Sequence, residues 1–299
     1  MTQIGIDFGG TKIEAAVLDP SGAFLTRRRV ATPDHYDAAL TAVVDLVAQV
    51  ESETETARSI GIGVPGSISP RTGVMRNANT IYLNGRSFQK DLEQALGREI
   101  RLDNDANCLA LSEAKDGAAA GAHVTFAIII GTGCGGGVVV DGKLISGANG
   151  IAGEWGHIPL PWVRDDELPP PICWCGLKGC LEKWISGTGF RDDYERRTGH
   201  RPKGDEIVTL ARQNDAIARA TLDDYIDRLG RGMAAIANIL DPDCFVLGGG
   251  MSNVIELYDR LQPVIERYTF SDGWDAKIVP AKWGDSSGVR GAAHLWPAD

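Results

Sequence analysis

The stretch Ile4-Gly5-Ile6-Asp7-Phe8-Gly9-Gly10-Thr11-Lys12 decides the fold, because its pattern returns later in the chain. Ile4 to Phe8 has the short apolar character of a strand, Gly9-Gly10-Thr11 is a turn, and Lys12 to Leu18 is a second strand. Asp19-Pro20-Ser21-Gly22 then turns into a third strand over 23–30. From Val124 the order recurs: strand Phe126 to Ile130, glycine turn Gly131 to Gly137, strand Val138 to Val140, turn Asp141-Gly142, strand Lys143 to Ile145. Two such units predict a duplicated α/β domain with two glycine hairpins facing a central cleft. Neither the GxxxxGK[ST] nor the GxGxxG spacing is present, and both require a helix after the glycines. A strand follows here, so each hairpin presents its backbone N–H groups outward, where they can cup phosphate. Taken alone, each also reads as a plain Gly-rich hairpin.

The segments between these units supply a sheet and its cover. Tyr36, Leu40, Val43, Val47 and Val50 follow helical spacing, and Ser59 to Val64 is a buried strand ending in Pro65-Gly66-Ser67. A turn at a strand's carboxyl end is where open α/β sheets place ligands. Asn77-Ala78-Asn79 comes next, then a short helix marked by Phe88, Leu92 and Leu96. Strand Ile100 to Leu102 runs into Asp103-Asn104-Asp105-Ala106-Asn107. That pentapeptide reads equally as a helix N-cap with acids in the first turn or as a carboxylate held in a cleft as general base. Ala- and Gly-rich residues 114–122 mark a hinge, which places one domain over 1–117 and a second over 118–284. A final helix, about 285–299, is expected to pack back on the first domain. Leu222, Ile226, Leu229, Met233, Ile236 and Leu240 define a long buried helix ended by Asp241-Pro242. After it, strand Cys244 to Leu247 leads into a third glycine turn, Gly248-Gly249-Gly250, against which a base or ribose could lie.

Most of the readable chemistry passes through residues 153–182. Gly153-Glu154-Trp155-Gly156-His157 precedes Cys173-Trp174-Cys175-Gly176-Leu177-Lys178-Gly179-Cys180-Leu181-Glu182. His157, Cys173, Cys175 and Cys180 form a Cys3His set, one of the closed ligand sets of structural zinc. Gly176 and Gly179 supply tight turns between the thiols. A disulfide is the bland alternative, but cysteines two apart reach its geometry poorly. Three unrelated buried thiols would leave the glycines unexplained. Metal binding would hold Glu154 and Glu182 in fixed positions.

Composition excludes several classes. The chain has 299 residues, 43% of them hydrophobic and 23% charged, values of an ordinary globular protein. A net charge of -10 argues against a nucleic-acid partner. No apolar run approaches a membrane span, and no signal peptide precedes Ile4. Six cysteines, half of them in one cluster, fit a reducing cytoplasm.

Read together and in this order, the motifs resemble the ROK (repressor, open reading frame, kinase) family of sugar kinases, within the actin-like ATPase (ribonuclease H-like) superfamily. The resemblance spans essentially the whole chain. It implies that Asp7, Gly9, Gly10, Thr11 and Lys12 form a first ATP-binding motif, Gly131, Thr132 and Gly133 a second, and Gly248, Gly249 and Gly250 an adenosine-side motif. It implies sugar contacts from Gly66, Asn79, Asn104, Asp105, Glu154, His157 and Glu182, with Asp105 as the catalytic base. Zinc on His157, Cys173, Cys175 and Cys180, and magnesium near Asp7, directly or through water, complete the implied cofactors with ATP. Residues 153–162, Ile185 to Phe190 and Gly284 to Ala293 look closest to bacterial fructokinases of the mannofructokinase type. The expected reaction is therefore ATP-dependent phosphorylation of a hexose at its C6 hydroxyl, fructose to fructose 6-phosphate, with mannose as a further substrate. An N-acetylhexosamine kinase or glucokinase of the same family is the alternative. A non-catalytic sugar sensor or ROK-type regulator is a rival of another class, but such repressors carry a helix-turn-helix before the first strand, and here only Met1-Thr2-Gln3 precede Ile4. Family members are commonly dimers, so a homodimer with small-molecule substrates is the expectation.

Overall fold

The computed structural model describes residues 2–54 and 56–296. In chain order its elements are β1 (Gln3–Phe8), β2 (Lys12–Leu18), β3 (Phe24–Ala31), α1 (Tyr36–Ser52), β4 (Ser59–Val64), β5 (Ser67–Ile68), β6 (Met75–Arg76), α2 (Phe88–Leu96), β7 (Arg101–Asn104) and α3 (Asp105–Lys115). There follow β8 (Val124–Ile130), β9 (Cys134–Val140), β10 (Lys143–Leu144), α4 (Glu182–Ile185), α5 (Gly187–Thr198), α6 (Gly204–Arg212), α7 (Ala216–Leu240), β11 (Cys244–Gly248), α8 (Glu256–Tyr268), β12 (Lys277–Pro280) and α9 (Ser287–Ala293). Two five-stranded sheets carry these, in the orders β3-β2-β1-β4-β7 and β10-β9-β8-β11-β12. Each is the same sequence of connections, third strand to fifth, so the duplication visible in the glycine hairpins extends to the sheets.

Residue contacts divide the chain into two compact units, one of Met1–Ala120, Gly137–Ala152 and Lys282–Asp299, the other of Gly121–Gly136 and Gly153–Ala281. The expected second domain, 118–284, held residues 137–152 as well. The structure gives these to the first unit because Gly137 lies against α3, where a Cβ would fall 2.6 Å from the Ala106 carbonyl oxygen. Arg76 also donates to the carbonyls of Asn149 and Gly150. The glycine run is divided in the same way: only 131–133 form the turn, and Gly135 to Gly137 lie inside β9. They serve close packing there instead of turning the chain.

In the first unit β1 to β3 run antiparallel, while β4 and β7 run parallel to β1. One core gathers Ile4, Ile6, Phe8, Val43, Val47, Ile60, Ile62, Phe88 and Leu92, all fully or nearly fully buried. The sheet also meets α9 at van der Waals limits. A Cβ at Gly5 would lie 1.8 Å from the Val289 carbonyl oxygen, and one at Gly61 1.8 Å from that of Ala292. These glycines let a helix backbone approach a strand backbone. The helix is shorter than the expected 285–299, and residues 297–299 lie outside the described residues.

In the second unit β11 runs parallel to β8 and β12 parallel to β11. Helix α7 buries Leu222, Tyr225, Ile226, Leu229 and Met233. Arg228 and Arg231 on the same helix are also buried, and both donate to Glu167. Arg228 pairs with Asp193 as well. Charges this deep are tolerated because each is answered by hydrogen-bonded partners. They pin the loop carrying Glu167 onto the helix. No helix among the described residues is long and apolar enough to cross a membrane.

Candidate active site

The polar turns collect at the carboxyl ends of parallel strands in both units. In the first, register pairs Asp7 of β1 with Gly63 of β4, and Val64 with Asn104 of β7. Asp7 to Thr11, Pro65-Gly66 and Asn104-Asp105 therefore leave one edge of one sheet, the edge where such sheets bind ligands. The Gly9 N–H closes on the Lys12 carbonyl at 2.9 Å, and Thr32 Oγ1 donates to the Gly9 carbonyl at 2.7 Å. Gly10 and Thr11 stay exposed at the tip. Gly66 has φ +79°, and a Cβ there would meet the Arg76 carbonyl oxygen at 2.4 Å. That close approach brings residues 76–79 beside the end of β4. Ala78 is fixed by Asn84, whose side-chain oxygen accepts from its N–H and whose amide donates to its carbonyl, both at 2.9 Å. Asn79 stands exposed next to it.

The pentapeptide 103–107 satisfies both of its readings at once. Asn104 is the N-cap of α3, accepting from the Ala106 N–H at 2.8 Å, and its amide donates to the Gly66 carbonyl at 3.1 Å. Asp105 is the first helical residue, with Oδ1 also 2.8 Å from the Ala106 nitrogen. Asp103 faces inward, accepting from the Asn104 N–H and the Asn107 amide, both at 2.7 Å. Burial raises its carboxyl above the usual range, opposed by hydrogen bonds from Asn107, Asn104 and Ser146. Capping thus leaves Asn104 one amide hydrogen and one oxygen lone pair for a ligand.

In the second unit the Gly131–Gly133 turn follows β8, while Gly248 ends β11, the neighbouring parallel strand, in register with Ile129, and Gly249-Gly250 turn out of it. Gly249 has φ +80° and lies against Ile130, where a Cβ would come 2.6 Å from the carbonyl oxygen. The two expected phosphate and adenosine turns are therefore adjacent. Glu182 begins α4, and its Oε2 accepts from the Cys134 N–H at 3.0 Å, just past the first of those turns. Glu154 precedes and His157 ends a single 3-10 turn, Trp155–His157, whose Trp155 is buried and donates to the Gly135 carbonyl at 3.2 Å. Gly156 packs on Cys134, with room for no side chain.

His157, Cys173, Cys175 and Cys180 present ligand atoms that all lie within 4.8 Å of one another. Cys175 Sγ is 3.5 Å from Cys180 Sγ, and Cys173 Sγ is 3.8 Å from His157 Nδ1. Tetrahedral zinc with zinc–sulfur bonds of roughly 2.3 Å has ligand edges of about 3.8 Å, so the set fits that ion. Burial, followed by hydrogen bonding with Cys175 and Cys173, pushes the Cys180 thiol up to about 12. A divalent cation reverses that preference by favouring thiolates. The described cysteines are all free of disulfides.

Four positioning residues were not picked out from the sequence. Thr32 ties the first hairpin, Asn84 fixes Ala78, and Trp174 donates to Glu182 Oε1 at 2.7 Å. The fourth is Gly288 of α9, where a Cβ would stand 3.0 Å from the Asp7 carboxyl carbon. The Gly284–Gly288 run hinted at it, since a glycine inside a short helix is otherwise costly.

The repeated sheet order, with its polar turns at the strand ends, defines a protein of the actin-like ATPase fold. The profile of the ROK family matches residues 3–299, and the chain belongs to that family. It is 39% identical over 300 residues to an N-acetyl-D-glucosamine kinase of Citrobacter koseri, covering 99% of each chain. Among solved structures it is similar to the ROK hexokinase of Thermus thermophilus, with 33% identity, a TM-score of 0.86 and 98% and 97% of the two chains covered. It also resembles a ROK family glucokinase of Streptomyces griseus solved with glucose and AMPPNP, at 30% identity and a TM-score of 0.81 over 99% of each chain. Relatives of Citrobacter koseri and Photobacterium profundum, 39% and 40% identical, are named N-acetyl-D-glucosamine kinases, which favours the alternative reading over the expected fructokinase. Parts of the segments 153–162 and 284–293 answer to packing. Trp155 and Gly156 close on β9, and Gly288 and Gly291 close on Asp7 and Cys108.

Proposed function

We propose that this chain transfers the γ-phosphoryl group of ATP to the C6 hydroxyl of an N-acetylated hexosamine, N-acetyl-D-glucosamine foremost. The observation that carries the reading is 39% identity to a kinase of that sugar over 99% of both chains. Asp105 would accept the proton of the attacking hydroxyl, from a helix first turn whose cap fixes it. Asn104, Glu154, His157 and Glu182 would hold sugar hydroxyls, with Gly66 and Asn79 placed by the turn at the end of β4. Amides and carboxylates suit a polyol, because a missing hydroxyl leaves a buried partner unpaired. The Gly9–Thr11, Gly131–Gly133 and Gly248–Gly250 turns would bind ATP, with Lys12 beside the first. Asp7, an oxygen donor at the end of β1, would hold magnesium, directly or through water. When bound, that ion neutralises charge on the phosphates. Zinc on His157, Cys173, Cys175 and Cys180 would be structural.

The test is ADP release with Mg-ATP against N-acetylglucosamine, N-acetylmannosamine, glucose, mannose and fructose, compared as kcat/KM. A lead for N-acetylglucosamine supports the reading. A lead for glucose or fructose keeps the kinase and overturns the substrate. Absence of turnover with all five overturns the enzyme.

A further inference from the structure

Glu182 is held at both oxygens within the second unit. Oε2 accepts from the Cys134 N–H beside the glycine turn, and Oε1 accepts from the indole of Trp174 at 2.7 Å. Trp174 stands between two thiols of the metal set, and its ring meets His157 edge to face at 5.1 Å. It is 65% exposed, so hydrophobic burial does not account for its place. A large aromatic left open to solvent, with its one polar atom spent on a carboxylate, is arranged for that bond. A carboxylate with two directed donors loses its rotational freedom, which is how a binding group is preorganised.

We infer that Trp174 is a positioning residue: its indole N–H holds Glu182 against the Cys134 amide, and its contact with His157 makes that hold depend on the metal loop. The metal set would then act on the glycine turn through one chain of contacts, His157 to Trp174 to Glu182 to Cys134. This rests on the reading above for the role of Glu182 as a sugar ligand, but the chain of contacts can be observed without it.

The experiment uses the full chain labelled with ¹⁵N-tryptophan, with the Trp174 indole resonance assigned by its loss in Trp174→Phe. Glu182→Ala should move that indole proton upfield, because a carboxylate acceptor is removed, and metal chelation should move it too. Trp174→Phe keeps a ring against His157 and loses only the N–H. It should retain its metal and raise the KM for sugar about tenfold with a smaller change in kcat, in the range of one lost bond to a charged group. An indole resonance indifferent to both Glu182→Ala and chelation overturns the inference. So does a Trp174→Phe protein with wild-type KM, or one that has lost its metal, since the residue would then serve the loop's folding alone. If the wild-type protein phosphorylates no sugar, the function proposed above fails, and the indole shifts still decide this inference either way.

Discussion

Asp103 and Asp105 are two positions apart and differently engaged. Asp103, half-buried, accepts from the Asn107 amide, whereas Asp105 opens the first turn of α3. Asp105→Asn should lower kcat about 10²–10⁴-fold while leaving thermal stability and sugar affinity nearly unchanged, measured by steady-state kinetics, calorimetry and titration. A comparable loss in Asp103→Asn with Asp105→Asn active would reassign the base. His294 carries a pH dependence of stability. Burial, then repulsion from Lys115, lowers its pKa to about 4. Lys115 Nζ lies 3.2 Å from its Nδ1, so the neutral ring accepts there. A histidine depressed in the folded state adds stability that is complete above its unfolded pKa and is lost as pH falls through the folded value. The unfolding free energy should therefore drop between about pH 6.5 and pH 4, by up to roughly 3 kcal/mol, and His294→Gln should flatten that slope in denaturant titrations. Asn104-Asp105 was legible because strand, cap and first turn follow one another in sequence. Trp174, Gly288 and Asn84 were not, since each acts on a partner that only the fold brings near.

At the scale of elements, α9 and the metal loop carry the clearest tests. Gly61→Ala places a methyl group within 1.8 Å of a backbone oxygen that no rotamer can move. It should cost on the order of 3 kcal/mol or more in unfolding free energy, beyond ordinary overpacking because backbone must shift. Equal stability of the variant would mean α9 is not seated as described. Glu113 does related work: its buried carboxylate accepts from the Ala118, Lys282 and Trp283 N–H groups and from Ser287 Oγ. Cys175→Ala should release the metal, seen by elemental analysis, and weaken sugar binding while leaving the first unit's stability intact. Most strands, with α1, α2 and α7, were announced by their apolar character; β5, β6 and β12 were not, and β9 begins inside residues read as a turn. Helix α9 was overextended in that reading: it begins at Ser287 and ends at Ala293.

For the whole molecule, the duplication was readable from two glycine hairpins, and the sheets repeat it strand for strand. What the pattern could not show was that Gly137–Ala152 belongs with the first unit, a matter of contacts between residues far apart in sequence. Substrate choice was equally hidden, since it depends on the shape of a pocket that no motif spells out. Ligand-linked stabilisation offers a measure independent of turnover. At a hundredfold excess over its Kd, a sugar that binds only the folded state adds about 2.7 kcal/mol. N-acetylglucosamine should raise the melting temperature, and fructose at the same concentration should not.

The placement of α9 also bears on how the protein is made. Strands β1 and β4 leave the ribosome early, yet one of their faces is shaped around Val289 and Ala292, synthesised last. Trp296 reaches back further still, donating to the Ile60 carbonyl at 2.7 Å. A nascent chain halted before residue 287 therefore carries a first sheet complete in its strands and bare on that face. The part of the protein translated first is the part finished last, and its exposed interval spans the synthesis of everything between.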